Sequence, residues 1–123
     1  MKGMGRRLTD EERAWRAYTE KAYQTEVINL ARGLGWMVAH FHDSRKMVRR
    51  GNRYIPVADG DAAGFPDLCL QRGSEILFWE MKKELGKPSE KQKVWLASLH
   101  SGGFEARIVR PSDHEPYVVP RLQ

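Results

Sequence analysis

Asp67, Glu80 and Lys82 are the residues of this chain best suited to act together on a substrate. Asp67 belongs to Gly64-Phe65-Pro66-Asp67-Leu68, and Glu80 and Lys82 stand in Trp79-Glu80-Met81-Lys82. Two carboxylates and a lysine meet the needs of phosphodiester hydrolysis assisted by a divalent cation. Magnesium and manganese take oxygen ligands, and magnesium keeps several waters while using one or two protein carboxylates plus the substrate phosphate. Such a cation lowers the pKa of its water and neutralises charge on the scissile phosphate, while a nearby ammonium orients the nucleophile or stabilises the same charge. Taken alone, Glu-x-Lys equally describes two solvated charges on the open face of a hairpin.

The surrounding elements can bring the three together. Pro66 has no amide hydrogen and fits the entry to a strand, which puts Asp67 at that strand's first exposed position. After Leu68-Cys69-Leu70 a turn is expected at Gln71-Arg72-Gly73-Ser74, and Glu75 to Lys82 reads as a second strand. Strand side chains alternate faces, so Glu80 and Lys82 point the same way and converge with Asp67 across a hairpin. Ser89-x-x-Gln92 forms a capping box that opens a helix from Glu90 to His100, stopped at Gly102-Gly103, and Phe104 to Val109 is a final strand. Upstream, Thr9-Asp10-Glu11-Glu12 is a second capping box, opening a helix that runs past Trp15 and Tyr18; Thr19 either caps another helix or lies within a continuous one. From Glu20 to Arg32 the apolar residues Ala22, Tyr23, Val27, Ile28, Leu30, Ala31 and Leu34 recur at helical spacing, ended by Gly33 and Gly35, and Trp36 to Phe41 is a strand. The expected class is α/β, a mixed β-sheet flanked by helices in the order α-β-β-β-α-β.

Four segments together resemble the virus-type replication-repair nuclease (VRR-NUC) domains of the PD-(D/E)xK nuclease superfamily. They are Gly-Phe-Pro-Asp-Leu at 64–68, Phe-Trp-Glu-Met-Lys at 78–82, Ser-x-x-Gln-x-x-Trp-Leu at 89–96 and Arg-Pro-Ser-Asp at 110–113. Glu20-x-x-x-Gln24 and Gly35-Trp36 look like that family's opening helix and first strand, and the resemblance spans residues 19–115. It implies a restriction-endonuclease-like core in one nuclease domain, 19–123, preceded by a basic segment and helix at 1–18. It also implies Mg2+ or Mn2+ held by Asp67, Glu80, the backbone carbonyl of Met81 and a residue of the opening helix. In related resolvase-like nucleases that helix residue is a glutamate about three turns before the terminating glycine, which points at Gln24, while Glu20 lies one turn earlier on the same face. Glu20 is the candidate for a metal-water contact, with Gln24 beside it; a glutamine at the usual glutamate position weakens one metal contact. Glu26 falls on a different face and is expected in solvent.

Composition agrees with an enzyme acting on nucleic acid. At 123 residues the chain holds one core, and a net charge of +5 favours a polyanionic partner. Arg45, Lys46, Arg49, Arg50 and Arg53 lie between Ser44 and Tyr54 with neither helical nor alternating pattern. They read as a flexible basic loop that returns to the sheet edge at Asp67 and grips the DNA backbone, against the plain alternative of a solvated loop. Lys91 and Gln92, at the start of the capped helix, are further DNA-binding candidates. His40 and His42 alternate with Phe41 and could contact phosphate or water, or simply be polar surface. Cys69 has no partner for an internal disulfide and reads as a small buried hydrophobe. Trp79 and Trp95 read as core, and Trp15, Tyr18 and Tyr23 as a packing stripe. No apolar run reaches membrane-span length, and no apolar core follows the basic N-terminus, so an intracellular bacterial or phage protein is expected. The expected activity is a DNA endonuclease, structure-selective for branched DNA or nonspecific, working as a homodimer without an organic cofactor. The alternative from another class is a DNA-binding module that keeps the fold without catalysis; an RNA-binding protein finds no stacking motif to support it.

Overall fold

The computed structural model describes residues 5–41, 45–58 and 63–123, with residues 45–48, 50 and 55–58 described by their backbone alone. Helices α1 (Asp10–Ala17) and α2 (Glu20–Gly33) lead into strand β1 (Met37–His40). A hairpin of β2 (Arg45–Arg50) and β3 (Arg53–Ala58) follows, then β4 (Leu68–Arg72), β5 (Glu75–Met81), α3 (Glu90–Ser101) and β6 (Glu105–Val109). The chain closes through a 3₁₀ turn (Pro111–Asp113), a π turn (His114–Val118) and α4 (Val119–Leu122). The main sheet has the order β1-β4-β5-β6. Its first two pairings are antiparallel and β5 with β6 is parallel, the crossover being α3. Without the β2–β3 hairpin, the order from α2 onward is the expected α-β-β-β-α-β, a mixed sheet with helices about it.

Both capping boxes form. Thr9 accepts from the amide of Glu12 while the Glu12 side chain returns to Thr9, and Ser89 and Gln92 do the same for α3. The first helix stops at Ala17, and Thr19 caps α2 separately by accepting from the amide of Ala22. α2 buries Tyr23, Val27 and Ala31, one stripe four residues apart, against Leu68, Leu70, Leu77, Trp79, Met81 and Val109 on one face of the sheet. Val118 and Leu122 complete that core. Alternation in β5 sends Phe78 and Glu80 to the opposite face, under α3. There Phe65 packs edge-on against Phe41, Phe78 and Trp95, with ring centroids 5.1, 5.9 and 4.9 Å away.

The segment expected as a flexible basic loop is largely a β-hairpin. Arg45 to Arg50 pair in antiparallel register with Ala58 to Arg53 through a two-residue turn, Gly51-Asn52. Gly51 has φ +63° and, among the described residues, no non-glycine residue has a positive φ, the pattern of a type II′ turn with glycine first. Val48, Ile55 and Val57 are β-branched and favour strand over loop, which the density of cations hides in the sequence. His42 lies outside the described residues. Among the described residues, no helix is long and apolar enough to cross a membrane.

Candidate active site

Asp67 sits at the entry to β4, where two contacts and one steric constraint fix it. Its carbonyl accepts from Phe41 at 2.8 Å, which ties it to the end of β1, and its side-chain Oδ2 accepts from the amide of Met81 at 2.9 Å. The third constraint is Gly64, at φ +84°, where a Cβ would come within 2.7 Å of Lys91 carbons in the first turn of α3. Only glycine lets the Pro-Asp segment pass so close to that helix.

Glu80 is 1% exposed, on the α3 face of β5. Lys82, two residues on and on the same face, puts Nζ 3.4 Å from Glu80 Oε2, and its side chain is 13% exposed. Gln92 Nε2 donates to the same oxygen at 3.0 Å, while Gln92 Oε1 accepts the Ser89 amide at 2.8 Å. The capping box of α3 therefore also holds Glu80, through the side-chain amide of Gln92. The motif is visible in the sequence; the distance to Glu80 depends on α3 lying across the sheet.

Glu80 Oε1 is buried without a hydrogen-bond donor. Burial, then the adjacent Asp67 charge, pushes the Glu80 carboxyl up to about 8, against the pull of Lys82. Burial also raises Asp67, opposed by the Met81 amide. The two carboxyls are near enough to share a hydrogen bond when one is protonated. Either a shared proton or a cation can satisfy the pair. Lys82 N donates to Val109 O at 3.0 Å on the β6 side, whereas the amide of Met81 faces Asp67. In extended backbone the carbonyl of a residue shares the edge of its amide, so the Met81 carbonyl belongs to the Asp67 side as well. Among the described residues no group of three or more His, Cys, Asp or Glu side chains is arranged to hold a metal. An ion on Asp67 and Glu80 would therefore complete its shell with carbonyl, water and phosphate oxygens, as magnesium usually does.

The helix candidates separate. Gln24 Nε2 lies 2.8 Å from His40 Nε2, and His40 is close enough to Asp67 to act on its charge. Gln24 thus reaches the site through His40. Glu20, the first residue of α2, is exposed one turn earlier. Glu26 is exposed at 4.0 Å from His114 Nε2, away from the carboxylate pair. Among the DNA-binding candidates, Arg49, Arg53 and Lys91 are exposed, while the side chains of Arg45, Lys46 and Arg50 lie outside the described set. Cys69 is half-buried with its thiol pushed up by burial, which disfavours a thiolate nucleophile.

Beyond the site, Arg110 donates to the Gly86 carbonyl at 2.9 Å and Ser112 N to Glu84 Oε1 at 3.0 Å. The Arg-Pro-Ser-Asp segment thereby pins the loop that leaves Lys82. Compared with known proteins, the chain matches no family model, no curated protein and no solved structure.

Proposed function

We propose that this chain is a metal-dependent DNA endonuclease of the VRR-NUC type, its sheet and helices forming a restriction-endonuclease-like core. One observation carries the reading: Asp67, Glu80 and Lys82 meet at one end of the sheet around a buried carboxylate oxygen that lacks a donor. A buried carboxyl beside a half-buried one of like charge is costly unless a proton or a cation joins them. Asp67, Glu80 and the Met81 carbonyl would hold Mg2+ or Mn2+, with Glu20 reaching a bound water. When bound, the ion supplies an acidified water and neutralises charge on the scissile phosphate.

The chain's own groups do the positioning. Gln92 and Lys82 fix Glu80 from two sides, and Lys82 keeps its ammonium at the mouth of the site, where it can meet a phosphate oxygen. Gln24 holds His40 beside Asp67. The net charge of +5 favours a polyanion, and DNA is the substrate that the basic hairpin and Lys91 would steer in. Branched or nonspecific DNA fits better than a fixed base sequence, and a homodimer would supply two such sites for cutting both strands. A second reading, a DNA-binding module without cleavage, is favoured by the lack of a third acidic or histidine ligand among the described residues.

Purified protein incubated with branched and linear DNA, in magnesium, manganese or chelator, separates the two. Cleavage that needs the metal supports the nuclease; retention of DNA by the protein without cleavage in either metal would favour the binding module.

A further inference from the structure

The β2–β3 ribbon stands apart from the main sheet, in a two-stranded sheet of its own. It leaves the chain after His40 and rejoins it before Asp67, and His40 registers against Leu68, next to Asp67. The described segments on either side of it therefore meet, through the Phe41 amide on the Asp67 carbonyl, at the end of the sheet where the carboxylates lie. Each strand has six residues, so the ribbon extends roughly 20 Å at about 3.3 Å per residue.

The cations of this ribbon are not confined to one strand or one face. Arg53 registers opposite Arg50 beside the turn. The neighbouring cross-strand pair is Arg49 with Tyr54, which alternation puts on the opposite face. Arg49, Asn52 and Arg53 are exposed, and Tyr54 is 65% exposed. A ribbon meant to lie on a flat surface would carry cations on one face only. Cations on both faces suit a ligand with anionic walls on both sides.

A DNA groove is such a ligand. The major groove, about 12 Å wide and 8.5 Å deep, admits a two-stranded ribbon within the undeformed duplex, whereas the minor groove, about 6 Å wide, takes one by widening or bending the DNA. Single strands instead call for a row of aromatic stacking platforms, and among the described side chains of the ribbon Tyr54 is the sole aromatic. We infer that the β2–β3 ribbon is a duplex-binding arm that enters the major groove and presents the adjacent phosphodiester backbone to Asp67 and Glu80. This rests on the nuclease reading for its choice of polyanion and makes the substrate class duplex DNA, including duplex arms of a branch.

The test is DNA binding in chelator, where cleavage plays no part. Fluorescence anisotropy would compare wild type with Arg49→Ser/Arg53→Ser on a labelled duplex and on one of its strands, across a salt series. Methyl green would serve as major-groove competitor and netropsin as minor-groove competitor. Wild type should prefer duplex by about tenfold or more and be displaced by methyl green. The variant should melt at the wild-type temperature, lose that preference and flatten the salt slope by about two units, roughly 0.9 for each phosphate that the two arginines neutralise. Equal wild-type affinity for both DNA forms, displacement by netropsin alone, or a variant that keeps preference and slope would overturn the arm. Groove binding by a protein that cuts nothing in magnesium or manganese would sink the nuclease reading and leave the arm standing. Cleavage by a variant with full duplex preference would do the reverse.

Discussion

At the scale of single residues, Glu80 decides most. Its carboxyl is buried beside Asp67, and both are raised above their ordinary values, Glu80 to about 8 from 4.5. The folded protein thus holds protons that the unfolded chain releases. The stability they contribute is full below the ordinary carboxylate range and is lost as pH rises toward 8. Melting of the metal-free protein should fall in temperature between pH 5 and pH 9, and Glu80→Gln should flatten much of that fall. On the proposed function magnesium binds the ionised pair, so it should stabilise wild type most at the alkaline end and leave Glu80→Gln unmoved. A wild-type melting temperature that climbs over this range, with the variant following it, would contradict the assignment. On the proposed function, Lys82→Ala should slow cleavage by an order of magnitude or more with a smaller change in the magnesium needed, because Lys82 contacts Glu80 and would meet the phosphate rather than the ion. Titrating rate against magnesium separates the two effects. In the same assay Glu20→Gln should raise the half-maximal magnesium concentration, whereas Glu26→Gln, near His114, should not.

At the scale of elements, the site depends on where α3 begins. Gly64→Ala would force a Cβ into the first turn of α3 at a positive φ, so it should cost about 1–3 kcal/mol in denaturant unfolding. It should also move Asp67 away from Met81, lowering activity by more than the unfolded fraction explains. Ser89→Ala should cost about 1 kcal/mol through loss of the cap. An unchanged unfolding midpoint for both would show that the α3 start is not held as described. Both capping boxes are legible in the sequence because a cap is local: Ser89 and Gln92, or Thr9 and Glu12, name each other three residues apart. The strand alternation that turns Glu80 and Lys82 to one face is legible for the same reason. The β2–β3 hairpin is not, although Gly51-Asn52 is a turn signal, because cations at Arg45, Lys46, Arg49, Arg50 and Arg53 blur the alternation of polar and apolar residues. The C-terminal turns are hidden by Pro116 and Pro120, which argue against helix; Pro120 falls in the first turn of α4, where its missing amide costs nothing. The link from Gln92 to Glu80 has no local signature, since it arises only when α3 lies over β5.

At the scale of the whole molecule, the far end of the chain braces the sheet. Leu122 is fully buried, its carbonyl accepts from Trp36 Nε1 at 2.9 Å and from Arg72 at 2.8 Å, and Arg121 bridges Glu75 and Glu105. Leu122→Ala should destabilise by about 2–5 kcal/mol in equilibrium unfolding without touching the carboxylate pair, so the activity of the folded fraction should stay near wild type. The proposed function joins a chain of net charge +5, which would attract nucleic acid, to an acidic pair that would repel it until a cation is bound. Binding and cleavage should therefore come apart at Glu80. The decisive measurement is affinity and cleavage rate on one labelled branched DNA, for wild type and Glu80→Ala, in the same magnesium buffer. The account predicts a fall in rate of at least about a hundredfold, with affinity equal or tighter and the fold intact by melting; a variant that cuts at the wild-type rate would contradict it.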